Sequence, residues 1–308
     1  MKIKQLDNVI HAGQFDRDML EELFEVAKEM ENLPRHEQPL KNQIMLSLFY
    51  EPSTRTRFSF ESAMLKLGGS IITTENAKEF SSGAKGETLE DTIRVLNAYG
   101  DVIVLRHFQA GAAEVASSVS KIPVLNAGDG AGQHPTQALL DIYTIYKELG
   151  RIDDIKIAMV GDLANGRTVR SLSMLLAKNC KNVSFYFVSP ANIKMKEDIK
   201  DFLSSHNVKF QEEDDLKKAA QEVDIIYQTR IQKERFLSSE DYEKAKGIYI
   251  INKEIMNLIK PKTIIMHPLP RVDEISYEVD HDERAAYFRQ AHNGLFIRMA
   301  LLKIFLEK

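Results

Sequence analysis

The feature that most constrains the fold is a regular alternation of short apolar runs with segments of helical periodicity. Apolar runs typical of buried strands are "NQIMLSLFY", "DVIVLRH", "IPVLNAG", "IKIAMVGD", "VSFYFVSP", "DIIYQTR" and "TIIMHPLPR". Helical patterns separate many of them, and the first clear one, "DRDMLEELFEVAKEMEN", has Asp16 as its predicted N-cap. Strands that alternate with helices form parallel sheets covered by helices on both faces. The predicted fold class is therefore α/β.

The alternation runs through the chain twice, which predicts two domains. The first run ends with the helix "HPTQALLDIYTIYKELG", which has Pro135 in its first turn and Gly150 at its end. A new strand follows at once, so we place the first domain at 1–150 and the second at 151–284. One long helical pattern at about 285–308 is expected to return to the first domain. A length of 308 residues agrees with two domains of ordinary size.

Composition argues against several classes of protein. The net charge of −4 implies no broad basic surface, so we expect no nucleic-acid partner. The single cysteine, Cys180, rules out a disulfide within this chain and a zinc site built from several thiolates. No apolar run approaches the length that spans a bilayer, and the segment "MKIKQLDNVI" is too short and polar for a signal peptide. We therefore expect a cytoplasmic protein with no membrane partner.

The stretch "EPSTRTR" places an unusual set of donors where a predicted strand turns into a helix. A helix N-terminus favours anions, because its first amide groups have no partner within the helix and carry a partial positive charge. Ser53, Thr54 and Thr56 add hydroxyl donors, and Arg55 adds a planar guanidinium suited to phosphate. An ordinary cap with solvated arginines is the alternative, but four donors in succession favour a phosphate site. Arg57 points elsewhere on the helix and is expected to pair with an acid such as Glu61.

Five further polar clusters also follow predicted strands, where ligands of open parallel sheets bind. They contain Arg106 with His107, His134 with Gln137, Arg167, Arg230 with Gln232, and the loop "HPLPR" around Leu269. A core role is the commoner fate of a single histidine, and a surface ion pair is the commoner fate of a single arginine. The shared location of these clusters favours a binding site instead.

Other chemistries find little support in the sequence. Gly161 and Gly166 have the spacing of a phosphate-binding P-loop, but Arg167 stands where that loop needs lysine. There is no Gly-x-Ser-x-Gly motif for a serine nucleophile, and no His-Glu-x-x-His helix or carboxylate cluster for a metal. The residues alone therefore predict an enzyme or binding protein for small anions, with phosphate near Arg55 and carboxylates near Arg167 and Arg230.

Five motifs resemble the catalytic chains of the aspartate carbamoyltransferase family, within the aspartate/ornithine carbamoyltransferase superfamily. They are "SLFYEPSTRTRFSFESAMLKLGG", "KGETLEDT", "GDGAGQHPTQALLDIYTI", "VGDLANGRTVRSL" and "MHPLPRVDEI". They occur in the family's order, and the resemblance runs over nearly the whole length of the chain. The loop "HPLPR" is the more selective motif, because ornithine-specific members typically have cysteine where this chain has Pro268.

The resemblance implies transfer of the carbamoyl group from carbamoyl phosphate to L-aspartate, in de novo pyrimidine (UMP) biosynthesis, with no metal and no organic cofactor. The residues expected to bind carbamoyl phosphate are Ser53, Thr54, Arg55, Thr56, Ser81, Arg106, His134, Gln137, Leu269 and Pro270. Those expected to bind aspartate are Lys85, Arg167, Arg230 and Gln232. Within these sets, the residues expected to take part in catalysis are Arg55, Thr56, Lys85, Arg106 and His134.

The resemblance also implies a homotrimer in which neighbouring subunits share their active sites. Ser81 and Lys85 lie in the polar, glycine-containing segment "FSSGAKGET", and the family's mobile loop lends these residues to the neighbour. A regulatory chain is a further candidate partner.

Two other functions remain open at this stage. An ornithine-type carbamoyltransferase would recognise a side-chain amine, whereas Arg167 and Arg230 favour a dicarboxylate. A non-catalytic subunit that binds a phosphorylated metabolite would be expected to have lost Arg55, Lys85 or His134, and all three are present.

Overall fold

A computed structural model describes residues 1–75, 86–231, 240 and 247–307. The chain forms two compact units, one of residues 1–140 with 292–308 and the other of residues 141–291. Because compactness defines these units, the ligand-binding domain limits at 150 and 284 stay predictions.

Unit 1 is built on a four-stranded parallel sheet with the strand order β2-β1-β3-β4. Its elements are α1 (Arg17–Glu31), β1 (Ile44–Phe49), α2 (Thr54–Lys66), β2 (Ser70–Glu75), α3 (Leu89–Leu96), β3 (Val102–His107), α4 (Ala112–Val119) and β4 (Val124–Asp129). Leu46, Ile103 and Val124 of three strands pack in one apolar core with Ile93 of α3 and Ala116 of α4. This core holds the strands in register and fixes where their carboxyl ends lie.

Unit 2 contains a five-stranded parallel sheet with the strand order β7-β6-β5-β8-β9. Its strands and enclosed helices are β5 (Lys156–Val160), α6 (Arg167–Asn179), β6 (Ser184–Val188), α7 (Glu197–Ser205), β7 (Lys209–Glu213), α8 (Leu216–Glu222), β8 (Ile225–Gln228), α9 (Lys253–Leu258) and β9 (Ile264–Met266). Two further helices, α5 (Pro135–Leu149) and α10 (Tyr287–Leu306), each contribute residues to both units. The predicted fold class is confirmed.

Each sheet has one point at which its connections change direction. In unit 1 the chain leaves central β1 for the edge strand β2 and then returns to β3, on the other side of β1. In unit 2 it leaves β5 for β6 and β7 and then returns to β8, beside β5. Crossovers that run in opposite directions leave a crevice outside the carboxyl ends of the two strands, where open α/β sheets bind ligands.

Helix ends follow the local sequence signals. The Asp16 carboxylate accepts the N–H of Met19, as the predicted N-cap of α1. Gly150 ends α5 with a left-handed φ of 70°, and its N–H donates to the Tyr146 carbonyl.

The C-terminal helix returns to unit 1 as predicted. Its residues from 292 onward belong to that unit. The guanidinium of Arg298 donates to Ser59 Oγ at 3.0 Å and lies over the ring of Phe60. Lys303 pairs with Glu29 of α1.

Three details of the predicted secondary structure are wrong. The strand in "TIIMHPLPR" ends at Met266, since proline cannot continue the hydrogen-bond ladder. The helical pattern of "NIKMKEDIKDFLSSH" predicts a helix over the whole segment, but the helix begins only at Glu197, after a short 3₁₀ turn at Ala191–Ile193. Strand β7 was missed because its sequence, "KFQEE", lies at a sheet edge and has no buried face.

Candidate active site

The hydroxyl-rich stretch begins α2 directly beyond the carboxyl end of β1. Ser53 is the N-cap residue, but its side chain makes no capping hydrogen bond. Thr54 and Arg55 are exposed, whereas Thr56 is buried. The ordinary-cap alternative for Ser53 therefore receives no support, and the first turn of α2 presents hydroxyls and a guanidinium at the switch point of unit 1.

Arg106 stands at the end of β3, beside the end of β1. Phe49 and Arg106 are partners in the parallel register, and the Tyr50 N–H donates to the Arg106 carbonyl. The guanidinium of Arg106 is mostly buried, 3.4 Å from the Ala127 carbonyl and 3.6 Å from the Glu51 carboxylate. The switch point of unit 1 thus brings the predicted phosphate ligands and Arg106 to one edge of the sheet.

The loop after β4 presents His134 and Gln137 at the same edge. The Asp129 carboxylate organises this loop by accepting the N–H of Gly111 at 2.9 Å and of Gln133 at 2.6 Å. Gly130 has a left-handed φ of 52°, and a Cβ there would lie 2.4 Å from the Phe108 carbonyl oxygen, so glycine is required. His134 directly precedes α5, Gln137 lies in its first turn, and both side chains are buried.

His107, which follows Arg106, has a structural environment. Its Nδ1 accepts the N–H of Gln109 at 3.0 Å, and its ring stacks on Phe108 and contacts Tyr50. Burial lowers the pKa of His107, against the opposing effect of the nearby Glu51 and Asp129 carboxylates. A neutral, packed imidazole agrees with the structural alternative for this histidine.

Arg57 forms an ion pair, as expected. Its guanidinium lies 3.6 Å from Glu61 and 2.7 Å from Glu75. Glu61 also accepts hydroxyl hydrogen bonds from Ser47 and Thr73. Arg57 and Glu61 together therefore join α2 to strands β1 and β2, and Arg57 is distinct from the predicted phosphate ligand Arg55.

In unit 2, Arg167 is the first residue of α6 and follows β5. The turn between them is closed by Asp162, whose buried carboxylate accepts the backbone N–H of Asn165 at 3.0 Å and also contacts its side-chain amide. The preceding Gly161 has a φ of 113°, and a Cβ there would lie 2.4 Å from the Thr229 carbonyl oxygen. This close approach places the ends of β5 and β8 side by side.

Arg230 lies beyond β8, on the other side of that switch point. Thr229 fixes the end of the strand, because its backbone N–H and its Oγ1 both donate to the Val160 carbonyl, at 2.8 and 2.9 Å. Arg167 and Arg230 are both half-buried. The fold of unit 2 therefore brings the two predicted carboxylate-binding arginines to one edge of its sheet.

The Leu269–Pro270 loop follows β9, the strand next to β8. Leu269 has a left-handed φ of 54°, and the Leu269–Pro270 peptide bond is cis. The Leu269 N–H donates to Nδ1 of His267 at 2.7 Å, and Nε2 of His267 lies 2.7 Å from Glu274 Oε1. The loop that is predicted to position the carbamoyl group is therefore held by buried polar side chains.

Three predicted site residues, Ser81, Lys85 and Gln232, lie outside the described residues. In the part of the chain that the structure describes, no group of three or more His, Cys, Asp or Glu side chains is arranged to hold a metal ion. Within the same part, no helix combines the length and apolar character needed to cross a bilayer.

Comparison with models of known protein families identifies the family of this chain. The carbamoyl-P binding domain of aspartate/ornithine carbamoyltransferase matches residues 7–147, and the Asp/Orn binding domain of the same family matches residues 153–305. This chain belongs to the aspartate/ornithine carbamoyltransferase family. The resemblance noted in the sequence is confirmed.

Individual members of the family are similar over almost the full chain. Aspartate carbamoyltransferase 3, chloroplastic, of Pisum sativum is 62% identical over 306 residues, which cover 98% of this chain and 78% of the relative. The catalytic subunit of M. jannaschii aspartate transcarbamoylase has a TM-score of 0.90 and 49% identity, over 98% of both chains. Aspartate transcarbamoylase from Trypanosoma cruzi, solved with carbamoyl phosphate and aspartate, has a TM-score of 0.90 and 43% identity, over 97% of both chains.

Sequence reasoning missed the side chains that organise the carbamoyltransferase loops. Asp129 and Asp162 each close a turn that leads to a predicted ligand, and the "GDG" and "DLAN" patterns were signals for such turns. His267 and Glu274 carried no comparable signal, because seven residues separate them and the loop geometry alone brings them together.

Proposed function

We infer that this chain is an aspartate carbamoyltransferase. The enzyme transfers the carbamoyl group of carbamoyl phosphate to the amine of L-aspartate, which gives N-carbamoyl-L-aspartate and phosphate, in de novo pyrimidine (UMP) biosynthesis. The observation that carries this conclusion is near full-length similarity to proteins named for this activity, 62% identical in the pea relative. The two switch points support it, because a predicted ligand arginine lies at or just beyond the carboxyl end of each of the two strands that flank them.

The proposed chemistry is an attack of the aspartate amine on the carbamoyl carbon. A C–N bond forms, the bond from carbon to the phosphate oxygen breaks, and the departing phosphate accepts the amine proton. Negative charge develops on the carbonyl oxygen, where one preorganised donor contributes about 3 kcal/mol. We assign this role to Thr56, Arg106 and His134, and we assign the carbamoyl amide to Gln137.

The remaining residues bind and orient the two substrates. Ser53, Thr54 and Arg55 hold the phosphate with the amide groups of the first turn of α2. Arg167 and Arg230 hold the carboxylates of aspartate, together with Gln232. Holding two anions in attack geometry can supply roughly 7–11 kcal/mol of the barrier reduction, so cationic ligands for both are central to this mechanism.

A turnover assay with aspartate and ornithine side by side tests the activity. We expect carbamoylation of aspartate, with ornithine at background, because two arginines suit a second carboxylate and repel a side-chain ammonium. Turnover of ornithine would favour the ornithine-type alternative. No turnover with either amine, although carbamoyl phosphate binds, would favour the non-catalytic subunit.

We further propose a homotrimer in which Ser81 and Lys85 complete the active site of the neighbouring subunit. The proposal follows from the family resemblance and from the polar segment that contains both residues. A lysine on a mobile loop can close over bound substrates and exclude water. Light scattering tests the trimer.

A mixing experiment tests the shared site. Subunits with Lys85→Ala and subunits with His134→Ala should each be nearly inactive alone. Mixed trimers should regain part of the activity, because some sites then receive an intact His134 from one chain and an intact Lys85 from the next. Mixed trimers that form but stay inactive would mean that each site is complete within one chain.

Two further assignments stay predictions. A cytoplasmic location is tested by microscopy of the tagged protein in its own cells; the pea relative is named chloroplastic. A regulatory chain is tested by its co-purification with the trimer and by a nucleotide effect on the activity.

A further inference from the structure

The Leu269–Pro270 loop contains a buried histidine that is not among the substrate-binding residues of the proposed reaction. His267 is 2% exposed, and Glu274, which contacts it, is 6% exposed. The two residues face each other across the loop, with Nε2 of His267 2.7 Å from Oε1 of Glu274. A buried polar group loses its hydrogen bonds to water, so it normally forms specific hydrogen bonds with other groups of the protein.

The contacts of His267 define its tautomer. Nδ1 lies 2.7 Å from the backbone nitrogen of Leu269, and an amide N–H can only donate. Nδ1 is therefore the acceptor, so the ring hydrogen is on Nε2, where it donates to Glu274. The imidazole therefore links the Glu274 carboxylate to the backbone N–H of Leu269.

Glu274 uses both carboxylate oxygens. Oε1 accepts from His267, while Oε2 accepts the N–H of Val272 at 3.1 Å and of Asp273 at 3.2 Å. Burial acts to raise the pKa of Glu274, but the hydrogen bonds from His267 and the backbone outweigh it and hold the pKa below its ordinary value. An ionised carboxylate with acceptor capacity on both oxygens suits these donors.

The residue that this arrangement holds has an uncommon backbone conformation. Leu269 has a φ of 54°, in the left-handed region that non-glycine residues rarely adopt. Such conformations persist where the surroundings determine them, and they cluster at functional sites. The hydrogen bond from Leu269 to His267 is one such constraint.

The same histidine is connected to the interior of unit 2. Its backbone N–H donates to Gln290 Oε1 at 2.8 Å, and Gln290 Nε2 donates to Asp141 Oδ1 at 2.6 Å. The other oxygen of Asp141 accepts the hydroxyl of the fully buried Tyr227 at 2.7 Å. A continuous buried chain of hydrogen bonds thus anchors the loop to α10, α5 and β8.

We propose that His267 is a positioning residue, which Glu274 orients so that its Nδ1 sets the backbone of Leu269 and Pro270 for carbamoyl transfer. The inference rests on the proposed function, since it assigns His267 a part in that reaction. His267 touches no substrate in this proposal and acts through the loop backbone. Its contribution is therefore to kcat, through the geometry of attack, more than to substrate affinity.

Two amide variants test the roles of the two ring nitrogens of His267 separately. The side-chain oxygen of His267→Asn can replace the Nδ1 acceptor, whereas the amide of His267→Gln can replace the Nε2 donor. We expect His267→Gln to lower kcat about 100-fold, the loss expected for a misplacement near 1 Å. We expect His267→Asn to retain kcat within about tenfold of the wild type, because the hydrogen bond to Leu269 is the more important one.

A matched control separates positioning from loss of stability. Thr263→Val removes another buried hydrogen bond of unit 2, from Thr263 Oγ1 to the Val223 carbonyl, without touching the loop. Its Tm should fall as much as that of the histidine variants, while its kcat stays within about twofold of the wild type. If His267→Gln does not fold, Glu274→Gln serves instead, because an amide cannot accept from donors on both sides.

NMR of the protein with ¹⁵N-labelled histidine tests the hydrogen bonding without an activity assay. The chain has eight histidines, and the resonances lost in His267→Asn assign His267. We expect Nδ1 without a proton and Nε2 with one at neutral pH. A proton on Nδ1 would overturn the proposal.

The kinetic outcomes are equally decisive. The proposal is overturned if His267→Gln and Glu274→Gln fold and keep wild-type kcat, or if every variant loses kcat only in proportion to its Tm. A wild-type protein that does not carbamoylate aspartate would refute the proposed function instead, and NMR would still test the hydrogen bonds of His267.

Discussion

The starts of α2 and α6 look alike in sequence and differ in what they offer a ligand. Both helices begin just beyond a parallel strand at a switch point, and both carry two arginines in their first four residues. In each helix one arginine, Arg57 or Arg170, forms an ion pair with an acidic side chain of its own unit. The predicted ligand is the other arginine, Arg55 or Arg167.

The difference lies in where the acidic side chain of each turn is held: Glu51, in the turn before α2, lies 3.6 Å from the Arg106 guanidinium of β3, whereas Asp162 folds into its own turn. The α2 turn has hydroxyls at Ser53, Thr54 and Thr56, so its anion-binding groups are donors. The turn before α6 encloses the Asp162 carboxylate, which is 1% exposed and bonded to Asn165. The negative charge of Asp162 makes the start of α6 less attractive to a dianionic phosphate. A substrate carboxylate can still bind there through the Arg167 side chain. Two similar strand–helix turns can thus select different anions.

The largest effect that tests this contrast is the loss of Arg55. We expect Arg55→Ala to weaken carbamoyl phosphate binding about 100-fold, since a charge-assisted hydrogen bond contributes up to about 3 kcal/mol. Because Arg55 is exposed, the Tm should stay the same. Calorimetric titration measures the affinity, and Arg57→Ala is the matched control, which should cost stability but little affinity. Equal losses of affinity in both variants would contradict the assignment.

A smaller effect is expected at the second helix. Arg167→Ala should raise the KM for aspartate about 30-fold and change carbamoyl phosphate affinity by less than about threefold, because one charged hydrogen-bonding group contributes roughly 2 kcal/mol. Steady-state kinetics and titration measure the two quantities. Arg170→Ala, three residues along the same helix, should leave both unchanged. Damage to both substrates alike would break the distinction between the two helix starts.

The smallest effect concerns the ion pair of Arg170. A hydrogen bond from Arg170 holds the pKa of Asp198 below its ordinary value of 3.8, against a weaker effect of burial. The pair therefore stabilises the fold above pH 3.8 and loses its contribution as the pH falls below that value. Both groups are partly exposed, so Asp198→Asn should cost only about 0.5 kcal/mol at neutral pH. Urea unfolding at pH 7 and pH 3 measures the difference, which should be smaller at the lower pH.

Much of the fold could be predicted because its signals are local. The run "NQIMLSLFY" predicts a strand that turns into a helix at "EPSTRTR", and the strand Ile44–Phe49 and the helix Thr54–Lys66 are observed. Asp16 and Gly150 marked helix ends through the amide and carbonyl groups that a helix leaves unpaired. Strand β7 could not be predicted, because "KFQEE" has no apolar period and is stabilised by pairing with β6.

The candidate site also contains some residues that the sequence could identify and others that it could not. Arg55, Arg106, Arg167 and Arg230 could be singled out because each lies at or after the end of a predicted strand and has a site role implied by the family resemblance. Other residues that shape the loops, Glu274 and Asp141 among them, could not be assigned. Their role depends on which distant backbone or side-chain groups they meet, as when Asp141 contacts Tyr227, 86 residues away.

The sequence by itself determined the alternation of strands and helices, the donor-rich helix start and the family, since these depend on residue types at short spacings. Only the tertiary structure decided the strand orders β2-β1-β3-β4 and β7-β6-β5-β8-β9, and with them the switch points. Strand order results from the packing of whole helices on sheet faces, a long-range effect that no short segment encodes. For this reason the sequence could name the arginines, and only the fold could place each pair at the carboxyl ends of neighbouring strands.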